Sequence, residues 1–321
     1  MPQTLLSAEM EHFVTLFDSK FLPQGLSLHQ SLANQMRAFH LWVVCMDDLV
    51  HEQLIQLKIP NLTPVPVNEL ETEALLAVKP GRTRAEYCWT ITPFTPELVF
   101  ALDSSVERVT YIDADLMFFN DPNILFGEFE LSKKHVMITE HAYAPEYLKY
   151  LPTSGRFCVQ FMVFDRSIEA QAILSWWKAR CLEWCFARLE DGKFGDQKYL
   201  DVWPQMFPQD VHILKQTQYT LAPWNVDHLL NQQVLGFKPV FFHFHALRIV
   251  SDHYVKLYEG YRIASTSRYL YNEYVHVLKQ RITMLRSQGI PLPILPEKDD
   301  VRTKLRSMLT MWKGFSAKVR I

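Results

Sequence analysis

The stretch VTYIDADLMFFNDP (109–122) carries two carboxylates, Asp113 and Asp115, one residue apart in a run whose Val109, Tyr111, Ile112, Leu116 and Phe118 are of sheet-interior type. A strand repeats every two residues, so both carboxylates are expected on one side, close enough to repel unless a cation lies between them. An arbitrary D-x-D is more often a solvated loop or a helix cap than a ligand pair. Three features weigh against that here. The preceding strand is long enough to be central, the next helix starts only after a turn at Asn120-Asp121-Pro122, and a distant apolar run, FFHFHA, ends in His243 and His245. Carboxylates joined by one imidazole suit Mn2+ or Mg2+, whereas structural zinc takes a closed Cys/His set. A two-carboxylate divalent site in an α/β crevice most often serves a phosphate-bearing substrate.

Such a site needs a frame. HFVTLFD (12–18), FHLWVVCMD (39–47), LTPVPV (62–67) and RVTYIDADL (108–116) read as strands, separated by segments of helical period. That βαβαβαβ order predicts a mainly parallel sheet flanked by helices, with sites outside the carboxyl ends of the strands, where Asp18, Asp113 and Asp115 fall. Further on, HVMITEHA and RFCVQFMVFDR read as strands, the segment from Ile168 to Arg188 as a helix, and FKPVFFHFHA as a late strand. Beyond residue 252 the chain reads as helical, so it divides into a catalytic region, 1–252, and a helical C-terminal extension, 253–321. VRTKLRSMLTMWKGFSAKVRI (301–321) has six basic and no acidic residues, with Val301, Leu305, Met308, Leu309 and Trp312 at helical spacing. A basic amphipathic end of that kind can lie on anionic lipid, and packing on its own body is the plainer alternative.

Composition bounds the setting. A formal charge of −2 over 321 residues leaves no whole-chain footprint for nucleic acid, and 48% hydrophobic content supports a large core. Five cysteines without a C-x-x-C pair fit a reducing compartment and a packing role. With neither a secretory leader nor a long apolar span, a cytoplasmic protein is expected, at most peripheral on the inner face of the membrane.

ERVTYIDADLMFFNDPNILF resembles the strand and D-x-D signature of GT-A fold nucleotide-sugar glycosyltransferases, most closely the retaining family 8 group and related bacterial polysaccharide and lipopolysaccharide enzymes. Four other places match in order: FDSKFLPQGLSLHQSL, GKFGDQKYLDVWP, TLAPWNV and FFHFHA. The resemblance implies a donor site built from Asp18, Phe21, Asp113 and Asn225, with Ser31 and Leu32 helping to hold the uridine. It implies Asp196 and Gln197 beside the reacting carbon, and Asp113, Asp115 and His243 as metal ligands. Arg84 (with Arg82) and Arg248 stand where cations could meet phosphate. Cys158 and Gln160 replace a family amide and glycine, Trp89 replaces a family arginine, and Ala246 stands for a glycine after the metal histidine. The implied activity is Mn2+- or Mg2+-dependent transfer from a UDP-sugar to a saccharide or lipid-linked saccharide, by a retaining route. If the transfer inverts instead, Asp196 is the candidate base.

Two other classes share parts of this pattern. A metal-dependent nucleotidyltransferase would show a Gly/Arg/Lys-rich phosphate loop after the first strand, and FDSKFLPQG is poor in that. A non-catalytic relative of the fold would not need Asp113, Asp115, Asp196, Gln197 and His243 together. Trp176, Trp177 and Trp184 read as core, the tyrosines of SRYLYNEY as helix packing, and Trp224 and His141 as evenly divided between packing and a ligand-facing role.

Overall fold

Along Glu11–Phe17 (β1), successive side chains part between two faces: Phe13 and Phe17 enter one buried cluster, Val14 and Leu16 another. The same division holds along Arg108–Ile112 (β4) and Phe157–Asp165 (β7), so the sheet is covered on both sides. The structure is a computed structural model, described over residues 10–295, 311, 313, 314 and 316–321. The remaining strands are β2 (Phe39–Cys45), β3 (Leu62–Pro66), β5 (Leu116–Phe118), β6 (Val136–Glu140), β8 (Val211–Ile213), β9 (Thr220–Leu221), β10 (Phe241–His243), β11 (Arg248–Ser251), β12 (Tyr254–Glu259) and β13 (Ser316–Arg320).

Seven strands form the main sheet in the order β3-β2-β1-β4-β7-β6-β8. All neighbours are parallel except at β7, which runs against both β4 and β6. β5, β10 and β9 make a second, three-stranded sheet. β11, β12 and β13 make a third. The helix Leu22–Gln35 packs on β5 and against the helix Arg268–Ser287, whose Tyr271 and Tyr274 are buried among Phe242, Phe244 and Tyr258. The expected α/β architecture with a mainly parallel, helix-flanked sheet is therefore present. Trp177 is fully buried and the SRYLYNEY tyrosines pack as expected.

Three expectations change. The run 108–118 is not one strand: β4 ends at Ile112, Asp113-Ala114-Asp115 forms a turn in which the Leu116 N–H donates to the Asp113 carbonyl (3.2 Å), and β5 joins a different sheet. Residues beyond 252 do not begin as helix, because Tyr254–Glu259 is a strand and the long helix starts at Arg268. The boundary placed near 252 falls inside the β11–β12 hairpin. Of the expected amphipathic tail, residues 301–310, 312 and 315 lie outside the described residues, while Ser316–Arg320 is β13 and pairs with β12. Among the described residues, no helix is long and apolar enough to cross a membrane.

Candidate active site

Asp18 follows β1, Asp47 lies just beyond the end of β2, and Asp113 follows β4: three parallel neighbours deliver three carboxylates to one edge of the sheet. A cleft of about 750 Å3 opens there and is lined by Asp18, Phe21, Arg84, Asp113, Asp115, Asp196, Gln197, His243 and Arg248, among others.

At its floor the short turn after β4 aims Asp113 and Asp115 at His243, the last residue of β10. His243 Nε2 is 3.0 Å from Asp115 Oδ1 and 3.8 Å from Asp113 Oδ2. One ligand atom from each of the three lies within 4.8 Å of the others. β10 is held there because it pairs with β5 and because the Phe244 N–H donates to the Asp115 carbonyl (2.9 Å). The Tyr111 hydroxyl donates to Asp113 Oδ1 (3.0 Å), and His243 Nδ1 lies 2.9 Å from Gln160 Oε1. Burial would depress His243, but the adjacent carboxylates outweigh it and raise it well above its ordinary value. Burial pushes Asp113 up to about 6, against the opposing pull of His243. For Asp115 the order reverses: burial raises it, but His243 at hydrogen-bond distance brings it below the usual carboxylate range. Two carboxylates sharing one imidazole form a hard, oxygen-rich donor set that fits a six-coordinate divalent ion, and three ligands leave positions open for phosphate oxygens.

Beside this floor, Arg84 bridges Asp18 (3.0 Å) and Asp47 (3.3 Å), and the Arg248 guanidinium lies 5.0 Å from the centre of the Phe21 ring. Asp196 is 5% exposed, and burial together with the charge of Asp113 pushes it up to about 8. Gln197 donates to the Ser154 carbonyl (2.8 Å).

Other expected donor residues stand elsewhere. Ser31 and Leu32 are in the core, where the Ser31 hydroxyl accepts from the Phe118 N–H (3.0 Å), so Ser31 supports β5 rather than a nucleotide. Asn225 lies behind the cleft wall: its side chain accepts from the Ala222 N–H (2.8 Å) and donates to the His141 carbonyl (2.9 Å). Arg82 is turned away and donates to Thr90 and to the Leu182 carbonyl (2.7 Å). Gln160 does not line the cleft, whereas Cys158 and Trp89 do.

The far wall is aromatic, and spacing alone did not announce it. His141 and Tyr143 stack with centroids 4.6 Å apart, and Trp224 meets His141, Tyr143, Tyr261 and the metal-site His243. Both His141 and Trp224 thus line the cleft while packing against neighbouring rings. Burial depresses His141 to about 3, so it stays neutral.

No protein-family model matches the chain. It is 34% identical over 257 residues to the uncharacterized protein YfnF of Bacillus subtilis (strain 168), covering 76% of this chain and 84% of YfnF. It is 29% identical over 286 residues to the uncharacterized protein YfnD of the same strain, covering 86% and 91%. Among solved structures, an active-site mutant of LgtC superposes with a TM-score of 0.54 at 9% identity, over 84% of this chain and 95% of that one. The apo form of the glycosyltransferase GlyE from Streptococcus pneumoniae TIGR4 gives 0.53 at 12% identity, over 91% of this chain and 66% of that one. The galactosyltransferase LgtC, solved with donor and acceptor sugar analogs, gives 0.52 at 8% identity, over 86% and 99%. At such identities these neighbours establish the fold, which is GT-A. With 34% identity to YfnF over most of both chains, the protein belongs to the YfnF family and carries the GT-A fold.

Proposed function

We propose that the protein is a metal-dependent glycosyltransferase that moves a sugar from a UDP-sugar to a saccharide acceptor. The observation that carries the reading is the convergence of Asp113, Asp115 and His243 on the floor of the cleft that Asp18, Phe21, Arg84 and Arg248 also line. A divalent ion, Mn2+ in this reading, would be held by those three residues and would stabilise the charge that develops on a departing diphosphate.

The chain's own groups divide the remaining work. Phe21 offers a ring face to the base, with Arg248 stacked on it. Asp18 stands at the end of β1 to meet ribose, and Arg84, 48% exposed and already paired with two carboxylates, can exchange them for phosphate. Asp196 and Gln197 line the same cleft and in this reading flank the sugar ring; a cation held at Asp113 would offset the charge that helps to raise Asp196, which favours its ionised form beside a positively charged anomeric carbon. In a retaining transfer the bond from that carbon to the diphosphate breaks on the face where the acceptor oxygen bonds, and the acceptor proton leaves on the phosphate. The aromatic wall around Trp224 supplies apolar faces of the kind that stack on sugar rings, which suits it to the acceptor. LgtC, of the same fold, was solved with donor and acceptor sugar analogs, which favours the same division of the cleft here. Cell-surface polysaccharide or lipopolysaccharide assembly, on the cytoplasmic side and through a lipid-linked acceptor, is the context we propose.

Calorimetric titration of UDP, GDP and CDP with Mn2+ and with EDTA tests this, repeated on Asp115→Ala. UDP binding that requires Mn2+ and disappears in the variant is the expected result. Failure of all three nucleotides to show metal-linked binding would leave a non-catalytic relative of the fold.

A further inference from the structure

We propose that Gln160 is a positioning residue of the metal site, its side-chain carbonyl fixing the tautomer and ring orientation of His243 while its backbone carbonyl pins the turn that carries Asp113. The proposal rests on the reading that Asp113, Asp115 and His243 hold a divalent cation. Gln160 sits in β7, next to Phe161, which pairs with Ile112 at the end of β4. That register sets the Gln160 carbonyl opposite the first residue beyond β4, and the Asp113 N–H donates to it (3.1 Å). The side chain of the same residue lies towards β10, with Oε1 2.9 Å from His243 Nδ1. One residue of the main sheet thus grips both chain segments that supply the ligands.

A carbonyl can only accept. Its partner Nδ1 must carry a proton, so the proton that a cation displaces is the one on Nε2, which faces Asp115 and Asp113 and then offers its lone pair. A second observation supports a dedicated role. Gln160 is fully buried, yet its Nε2 has no hydrogen-bond partner among the described residues. An unsatisfied buried amide half disfavours folding. An apolar side chain of equal length would avoid that, so the polar group is kept for what its other half does. The Cys158 thiol also meets the His243 ring but is a weak partner, and it does not touch Asp113 through its backbone.

The test uses the full chain, with Gln160→Met removing the acceptor at constant length and Gln160→Glu retaining one. Mn2+ affinity is measured by calorimetry, and the imidazole nitrogens of His243 are followed by 15N NMR in metal-free protein, at a pH high enough that the ring, raised well above its ordinary value by the adjacent carboxylates, is neutral. We expect Met to weaken Mn2+ by about 10- to 100-fold, the range for outer hydrogen-bond partners of metal histidines, and Glu to restore parental affinity or better. In the neutral ring of the parent, Nδ1 should carry the proton, and Gln160→Met should redistribute it between the two nitrogens. Parental affinity and unchanged ring resonances in Gln160→Met overturn the proposal, as does an equal loss in Met and Glu, which would assign the effect to packing. If the parent itself binds no Mn2+, the metal reading fails by that result alone. The ring resonances still decide whether Gln160 sets the tautomer, and they need no variant to fold in order to show which nitrogen carries the proton in the parent.

Discussion

At the residue scale, two positions make consequences of the site measurable without knowing the substrate. Asp196 is raised to about 8 by burial and by the charge of Asp113. As pH climbs, the unfolded chain therefore loses this proton near the ordinary carboxylate range while the folded chain holds it, so stability falls with pH until about 8 and is level above that. Holding a proton one pH unit further than the unfolded chain does corresponds to about 1.4 kcal/mol, and water in the open cleft reduces the total, so roughly 2–4 kcal/mol is at stake. Asp196→Asn should stabilise the metal-free protein by that amount at pH 8.5 and hardly at all at pH 4.5, read by urea unfolding at both. An equal effect at the two pH values would show that Asp196 does not titrate as described. Ala246 is the second position. The Leu247 N–H donates to the Phe244 carbonyl (3.0 Å), so Ala246 is the third residue of a turn and has φ 67. A type II turn wants glycine at that place, because a Cβ there meets the backbone. Ala246→Gly should therefore gain about 0.5–1 kcal/mol despite the added freedom of the unfolded chain. A loss of stability would mean that the Cβ is held by packing. The family resemblance implied a glycine where Ala246 stands; that the position still turns is a structural finding.

At the element scale, legibility followed period and length. Strands β1 to β4, β6 and β7 could be read because each is a run of apolar or β-branched residues bounded by helical period. β8, β9 and β13 are short or polar and exist through their partners, so local composition carries little of them. β12 was misread for a different reason: Tyr, Val, Lys and Leu of YVKLYE suit a helix as well as a strand, and only pairing with β11 and β13 decides. The helix Leu22–Gln35 shows what a single residue can fix at this scale. Gly25 faces the Phe17 ring so closely that an added Cβ would overlap it. That contact holds the helix against the end of β1, one residue before Asp18. Helix propensity alone favours alanine by about 1 kcal/mol, while overpacking a rigid ring costs about 1–3 kcal/mol. Gly25→Ala should therefore destabilise, by up to about 2 kcal/mol after both contributions. Nucleotide affinity should weaken with it, because Asp18 and Phe21 move when the helix is displaced. Increased thermal stability in this variant would mean that Phe17 rotates freely out of the way.

At the scale of the whole molecule, the ligands of one site come from two sheets and from distant parts of the chain: Asp113 and Asp115 between β4 and β5, His243 at the end of β10. The D-x-D signal was local and could be read directly. Its partner histidine was recognised by resemblance, since either imidazole of FFHFH could have been chosen. In the structure His245 is exposed at the cleft rim, while His243 is buried against the carboxylates. Nothing local to any one segment shows that β7 connects them. Because these three residues meet only in the folded chain, a divalent ion held by them would bind the native state far better than the unfolded one, and its binding energy would become stability. At a hundred times its dissociation constant the ion adds about 2.7 kcal/mol. For a chain of 321 residues that corresponds to a rise in melting temperature of roughly 3–6 °C. Differential scanning fluorimetry with Mn2+ against EDTA should show this rise, growing by a further increment when UDP is added and absent in Asp115→Ala. The variant is read against its own metal-free state. Removing Asp115 takes from His243 its nearest carboxylate and breaks a buried ion pair, so the metal-free variant melts below the parent, and the Mn2+ increment measured within the variant vanishes. An Mn2+ shift of the same size in the parent and in Asp115→Ala would place the ion elsewhere on the surface, and the cleft would then have to be explained without it.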